Sequence, residues 1–484
     1  AAPAKLQAPV SASHASSQAS ASGVCAKCIR ANMEYLASDA LRGRGSGTDD
    51  ERKAAAYVGE QLKKYGVEPA GDDGTYIQKA TILHEKLKAP LILHYMTPGD
   101  GIPAQTINWT HGLEMLALRI GASDFRGPLK RVDTDHADAT PGGKAGAKET
   151  PGHGQALAGA VVLLLGNDRR KIQEASLDAM DAGAVAVLVP ASSELLKRWE
   201  QQRNELPELP ARISGRPAGF GAGTLSVFSV KPEALAKLTT MPDGIMFYFE
   251  GTLGASERSY TWNAVGKLTG SDPGLRKDAI VLGAHLDHLG VGKPVNGDSI
   301  YNGADDDASG TVCVMELARA LAAGKKPRRT VIFALFGGEE LGGYGSTWFE
   351  EHPPVPLTDI VVDLEFEMIG RADPMYPSDF LWLSGWQRSD LGPTLAGHGA
   401  KLMADKRADQ HFFERSDNYV LAKQGIVAQT ASSFGLHADY HQPSDDIAHI
   451  DFKHMTEAIG SLIGPIEWLA NSDFKPVWTA GGKP

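Results

Sequence analysis

The sequence predicts an α/β protein: a mostly parallel or mixed central sheet with helices on both faces, and a smaller α/β domain inserted into the chain. Two observations carry this. From Tyr260 onward, apolar runs (AIVLGAH, RTVIFALFGG, DIVVDLEFEMIG) alternate with amphipathic helical patterns (GTVCVMELARALAAG, HMTEAIGSLIGPIEWLA). Strands that are apolar throughout are strands covered on both faces. Between about residues 105 and 255 the character differs: the Gly/Pro/Ala-rich ADATPGGKAGAKETPGHGQ precedes strand GAVVLLLG, helix RRKIQEASLDAMDAG and strand AVAVLVP, a compact βαβ unit. At 484 residues the chain also exceeds what one hydrophobic core organises. The expected division is a disordered leader over 1–24, a main domain built from 25–104 and 256–484, and an inserted domain over 105–255.

The first 23 residues, AAPAKLQAPVSASHASSQASASG, lack both an initiator Met and the apolar stretch of a signal peptide, and read as a leader exposed by processing. They favour a secreted or periplasmic setting. In CIRANMEYLASDALRGRGSGT, Ile29, Met33 and Leu36 recur at helical spacing before a glycine-rich turn. A second helix follows, with Val58, Leu62 and Tyr65 on one face and Gly66 ending the pattern. Cys25 and Cys28 form a CxxC that fits a local disulfide or two thiols on a helical turn equally well; Cys313 sits in an apolar helix and reads as core. With no second thiolate pair, a zinc finger is excluded.

Hydrophobic content of 42% is that of a globular protein, and a formal charge of −11 disfavours nucleic acid and anionic membranes as partners. No run approaches the length of a membrane span.

In sheets of this kind ligands bind at the carboxyl ends of the strands, and there the sequence places carboxylates and histidines. AIVLGA ends at His285-Leu286-Asp287-His288, and the next helix is entered through Asp305, Asp306 and Asp307. VIFALFGG ends at Glu339-Glu340, the following strand carries Glu365 and Glu367, and HADYHQPSDD supplies His437, Asp439 and His441. Each piece alone fits an ordinary turn, a helix cap or a surface pair. Three adjacent aspartates repel one another unless solvated or neutralised, and the recurrence of such groups at successive strand ends points to a metal. GxSxG, HExxH, a Walker loop and a GxGxxG opening a helix are all missing, which leaves metal-assisted hydrolysis.

GAHLDHLG, NGADDDASG, FGGEELGGYGS, FEMIGR and DYHQPSDD, in that order, resemble the zinc-dependent aminopeptidases with a co-catalytic di-metal site, relatives of bacterial leucyl aminopeptidases, glutamate carboxypeptidases and transferrin receptors. LASDALRGRGSGT and YGVEPAGDDGTYIQ resemble the same family, and the βαβ insert resembles a protease-associated (PA) domain. The resemblance spans about residues 25 to 470. It implies two Zn²⁺ ions, replaceable by Co²⁺ or Mn²⁺, held by His285, Asp306, Glu340, Glu367 and His441. Asp306 would bridge the two, Glu340 would stand beside His285, and Glu367 would complete the second site with His441. Glu367 occupies a place that in the commonest form is Asp (LDMIGR), and the longer side chain bears on metal spacing and pocket depth. Glu339 is implied as general base, Asp287 as the group on the other nitrogen of His285, Tyr440 as oxyanion donor, and His288 as structural. A cis peptide is implied at Asp306-Asp307.

The activity so implied is hydrolysis of peptide bonds with release of N-terminal residues, since a metal pair both polarises a scissile carbonyl and receives a free α-amine. Carboxypeptidase, glutaminyl cyclase and a receptor-like binding module are built on the same fold. The last is expected to have lost ligands, and all five ligand positions here keep metal-binding side chains.

Overall fold

The computed structural model describes residues 23–96, 105–135, 157–166, 168–215, 225–242 and 244–484. Residues 1–22 of the expected leader, and the 137–155 loop, lie outside the described residues. Two compact units are present, one of Ala1–Gln78 with Trp262–Pro484 and one of Lys79–Thr261.

In the first unit the mixed sheet has strands β1 (Leu253–Leu268), β2 (Ala279–His285), β3 (Val331–Phe336), β4 (Ile360–Phe366), β5 (Leu381–Leu383), β6 (Leu402–Ala404) and β7 (Val427–Ser432). Their order is β6-β5-β7-β4-β2-β3-β1, of which β7, β4, β2 and β3 run parallel. The alternation within each strand explains why both faces are covered. Ile280, Leu282, Val331, Phe333, Leu335, Val362 and Leu364 point into a core with helices α1 (Ala26–Leu36), α2 (Asp49–Tyr65), α3 (Gly310–Ala323) and α5 (Phe452–Asn471). Val281, Ile332, Ala334 and Phe336 point into a second core with Phe349 of α4 (Tyr344–Glu351). Thr48 caps α2 and Gly66, at φ 83°, closes it, as the pattern predicts. Cys25 and Cys28 are bonded to each other, and Cys313 is buried in α3.

The second unit holds an eight-stranded sheet in which Asp124–Asp133, Val161–Leu165, Ala186–Pro190 and Ser226–Val230 are parallel neighbours, with helix Arg169–Asp181 inside the expected βαβ. Its core is rich in aromatic rings: Tyr95, Trp109 and Phe247 pack against one another, and Phe228 meets Phe249. The expected bounds of 105 and 255 differ from the observed ones. Composition marks a boundary only where loop residues stand, whereas the chain passes between the units inside the strands Ile77–Leu87 and Leu253–Leu268.

Arg44, from the glycine-rich turn after α1, is buried and joins three segments. Its Nε donates to Leu286 O (2.8 Å), Nη1 to Leu36 O and Asn302 O (2.6 and 2.7 Å), and Nη2 to Gly303 O (2.8 Å). The guanidinium fork thereby ties the end of β2 to the loop that enters α3. Gly43 beside it has φ 72°, and a Cβ there would stand 2.2 Å from Tyr301 O, so no other residue fits. Arg44→Lys is expected to leave at least two of these carbonyls without donors, at about 1–3 kcal/mol each, and a thermal melt should show a clear fall in Tm.

Candidate metal centre

Parallel register determines which ligands meet. Gly283 pairs with Glu365 across β2 and β4, so two residues further along the same faces His285 and Glu367 come side by side at the strand ends. With Asp306 their ligand atoms lie within 4.8 Å of one another. His285 Nε2 is 3.2 Å from Asp306 Oδ1. The other oxygen of Asp306, Oδ2, faces His441 Nε2 at 3.2 Å, and His441 Nε2 is 3.3 Å from Glu340 Oε2. Asp306 thus stands between two clusters, His285–Glu367 and Glu340–His441. The expected pairing, Glu340 beside His285 and Glu367 with His441, is reversed. Glu340 lies four residues beyond the end of β3, in a loop that carries it away from His285, whereas Glu367 follows directly on a strand in register with His285.

His288 is drawn into the site rather than set apart from it. It is buried, its Nδ1 lies 2.7 Å from Glu340 Oε1 and 3.8 Å from Asp306 Oδ2, and with these two residues it forms a second group able to hold a cation. Its ring packs beneath Gly303, whose φ of 58° belongs to the left-handed region.

The three aspartates divide their work. Asp305 Oδ1 accepts from Gly370 N (2.7 Å) and its Oδ2 faces His437 Nε2 at 3.0 Å. Asp307 accepts from Gly310 N and Met368 N (2.9 Å each) and from His285 N (3.2 Å). Only Asp306 presents both oxygens to imidazoles. The Asp306-Asp307 peptide is cis, as expected. Asp445 accepts from Asp305 N and Asp306 N (3.0 Å each), and Arg371 pairs with Asp439 at 2.8 Å, so Asp439 and His437 hold the loop before His441 and stay out of the ligand cluster.

Asp287 does more than contact the far nitrogen of His285. His285 Nδ1 lies 3.2 Å from the Asp287 carbonyl oxygen and 3.7 Å from its carboxylate. The carboxylate accepts from Glu339 N (3.1 Å), Glu340 N (3.4 Å) and the Ser46 hydroxyl. It therefore sets the turn that presents Glu339 and Glu340. Ser46 and Arg44 in GRGSG were not among the residues singled out from the sequence, because a glycine-rich turn carries no periodic or ligand-spacing signal.

Burial would push the His285 imidazole down, but Asp287 and Asp306 outweigh it and hold it well above its usual range. Burial pushes Asp306 up, and His285 and His441 more than reverse this. Burial lowers His441, yet Asp306 and Glu340 carry it to about 10. Glu339 is pushed well up by burial; His285 opposes the shift, and Asp417, Glu367 and Glu340 add to it. Glu367 is raised by burial as well. His285 Nε2, both nitrogens of His288 and Glu340 Oε1 are buried and make no well-directed hydrogen bond, although His288 Nδ1 and Glu340 Oε1 lie 2.7 Å apart. Unsatisfied imidazole and carboxylate atoms converging in one place fit a divalent cation of the zinc class, for which nitrogen and oxygen donors are the usual set.

Beside the cluster a pocket is lined by Asp306, Glu339, Glu340, Glu367 and His441, together with Met368, Trp382, Phe412, Phe434, Tyr440 and Arg415. Tyr440 stacks on His441 at 3.9 Å. The aromatic wall went unseen in the sequence, since Trp382, Phe412 and Phe434 come from three separate segments.

Residues 263–463 match the family model described as Peptidase family M28. A probable zinc metalloprotease of Pyrenophora tritici-repentis is 38% identical over 110 residues, covering 23% of this chain and 22% of that protein. A probable leucine aminopeptidase of Arthroderma benhamiae is 25% identical over 212 residues (41% of this chain, 54% of that one), and leucine aminopeptidase 1 of Metarhizium robertsii is 32% identical over 241 residues (46% and 59%). The chain thus spans 22% to 59% of the length of these relatives. Among solved structures, an aminopeptidase from Aneurinibacillus sp. strain AM-1 is 18% identical with a TM-score of 0.49, covering 93% of this chain and 94% of that one.

Gly303→Ala is expected to disturb the centre without removing a ligand. The added Cβ would lie 2.2 Å from Asp306 O and 2.5 Å from the His288 ring, at a φ that L-residues avoid. A loss of about 2 kcal/mol or more in stability, read by thermal melting, should accompany weaker Zn²⁺ binding in calorimetric titration.

Proposed function

We propose, from the match of residues 263–463 to peptidase family M28, that this protein is a zinc-dependent aminopeptidase that hydrolyses peptide bonds and releases N-terminal residues. The observation that carries the reading is Asp306, buried between the His285–Glu367 and Glu340–His441 clusters with one oxygen toward each. These five side chains would hold two divalent ions, with Asp306 offering one oxygen toward each cluster. When bound, such a pair supplies Lewis acidity toward the scissile carbonyl.

The chain's own residues supply the rest. Glu339 borders the pocket beside the clusters, is not needed as a ligand, and has its proton affinity raised by burial; it suits a general base that takes a proton from the attacking water and passes it to the leaving amine. Asp287 positions it by accepting a hydrogen bond from the Glu339 backbone amide. His288 braces Glu340 from the side opposite His441. Tyr440, lining the pocket against His441, is placed to donate its hydroxyl to the developing oxyanion. The aromatic wall of Trp382, Phe412 and Phe434 receives the side chain of the N-terminal residue.

Two coarser features fit the same reading. The Cys25–Cys28 disulfide suits an oxidising compartment, consistent with a secreted or periplasmic protein, and among the described residues no helix is long and apolar enough to cross a membrane. The Lys79–Thr261 unit, with its parallel βαβ core, is read as PA-like.

Three measurements test this. Wild-type protein should cleave aminoacyl reporters and lose that activity when the substrate is N-acetylated. Glu339→Gln should keep its metal while kcat falls by about 10²–10⁴, with KM and stability little changed; Glu340→Gln should lose metal affinity, and added Zn²⁺ should recover part of its activity. In metal analysis, Glu340→Ala and His441→Ala should each remove the same equivalent, and their double variant no more than either, whereas Glu367→Ala should remove the other equivalent together with His285→Ala. Loss shared by Glu340 and His285 instead would restore the pairing the motifs suggested.

A further inference from the structure

Among the described residues, Arg415 is the one cationic side chain of the pocket lining apart from His441. It is exposed, its guanidinium sits over the Phe412 ring at 5.2 Å, and it makes no ion pair or side-chain hydrogen bond among the described residues. The nearby carboxylates are otherwise engaged: Glu414 pairs with Arg388 at 3.1 Å, and buried Asp417 accepts from the Ser346 hydroxyl. On the two-metal reading, Asp306, Glu340, Glu367 and Glu339 balance the charge of two divalent ions, so Arg415 is left without a counter-charge. The wall it rises from is firm. Trp382 stacks on Phe412 at 5.0 Å, Phe412 meets Phe434 at 6.0 Å, and Met368 and Tyr376 pack into the same cluster. Such a pocket offers an apolar bed for the stem of a side chain and a positive charge for its tip.

We propose that Arg415 sets the charge preference of this pocket: it favours N-terminal residues with a side-chain carboxylate and rejects those with an ammonium or guanidinium. The inference rests on the aminopeptidase reading above. A guanidinium forms paired hydrogen bonds with a carboxylate, and a like charge at the same point repels; discrimination arises as much from the repulsion as from the attraction.

The test uses the full-length, Zn²⁺-loaded protein and the p-nitroanilides of Leu, Glu and Lys, which carry no C-terminal carboxylate. The Glu-to-Lys ratio of kcat/KM should fall about tenfold in Arg415→Ala and invert in Arg415→Glu, while Arg415→Lys, which keeps the charge but loses the guanidinium fork, should fall between wild type and Arg415→Ala. Thermal melts establish that the variants are folded. A change below threefold in both the Ala and Glu variants overturns the proposal. So does an effect seen only between free and amidated Leu-Gly, which would mean that Arg415 reads a C-terminal carboxylate. If wild-type protein releases none of the three reporters, it is the aminopeptidase reading that fails, a result distinct from an Arg415 that is silent in an active enzyme.

Discussion

The structure turns on the desolvation of acidic groups at the carboxyl ends of β2, β3 and β4. Asp287, Asp305, Asp306 and Asp307 are all buried, and the face of β4 that carries Glu367 carries Glu365 and Asp363 beneath it, buried as well. Burial holds Asp363 at about 8 and Asp417 at about 7, far above a solvated carboxylate. An unpaired buried anion is costly, so every such group needs a proton, a donor or a cation. Local architecture around the site distributes these three remedies.

Backbone amides take the first share. Asp307 is satisfied by three of them, Asp445 by those of Asp305 and Asp306, and Asp287 by those of Glu339 and Glu340. All of these bonds but the local one from Gly310 to Asp307 join segments far apart in the chain, so satisfying a charge and aligning the strand ends are the same event. Arg44 does the complementary work for carbonyls, collecting four from three segments into one fork. Asp363, Glu365 and Asp417 keep carboxylate oxygens without partners, and burial raises all three toward the protonated form, whereas at His285, His288 and Glu340 the unsatisfied atoms include imidazole nitrogens gathered around Asp306, a donor set that suits a cation.

The same arrangement separates neighbours in sequence into different roles. Asp305, Asp306 and Asp307 point to a histidine, to the cluster and to backbone amides respectively. Glu339 and Glu340 share one acceptor in Asp287 yet face different partners. A pocket that shares its carboxylates with the cluster and its far wall with aromatic rings brings polar chemistry and side-chain recognition together at one place.

The sequence by itself determined the alternation of buried strands and helices, the two helices ahead of the sheet, the βαβ of the second unit, and which residues gather at strand ends; these depend on periodicity and on residue chemistry, which are local. The partnership of Glu367 with His285 and of Glu340 with His441 was decided by parallel register and by the reach of the loop after β3, neither of which is written in spacing along the chain. His288, Ser46 and Arg44 entered the site, and the unit boundary moved into Ile77–Leu87 and Leu253–Leu268, for the same reason. Contacts between segments tens or hundreds of residues apart are set by how the strands are ordered in the sheet, and a local pattern carries no record of that order.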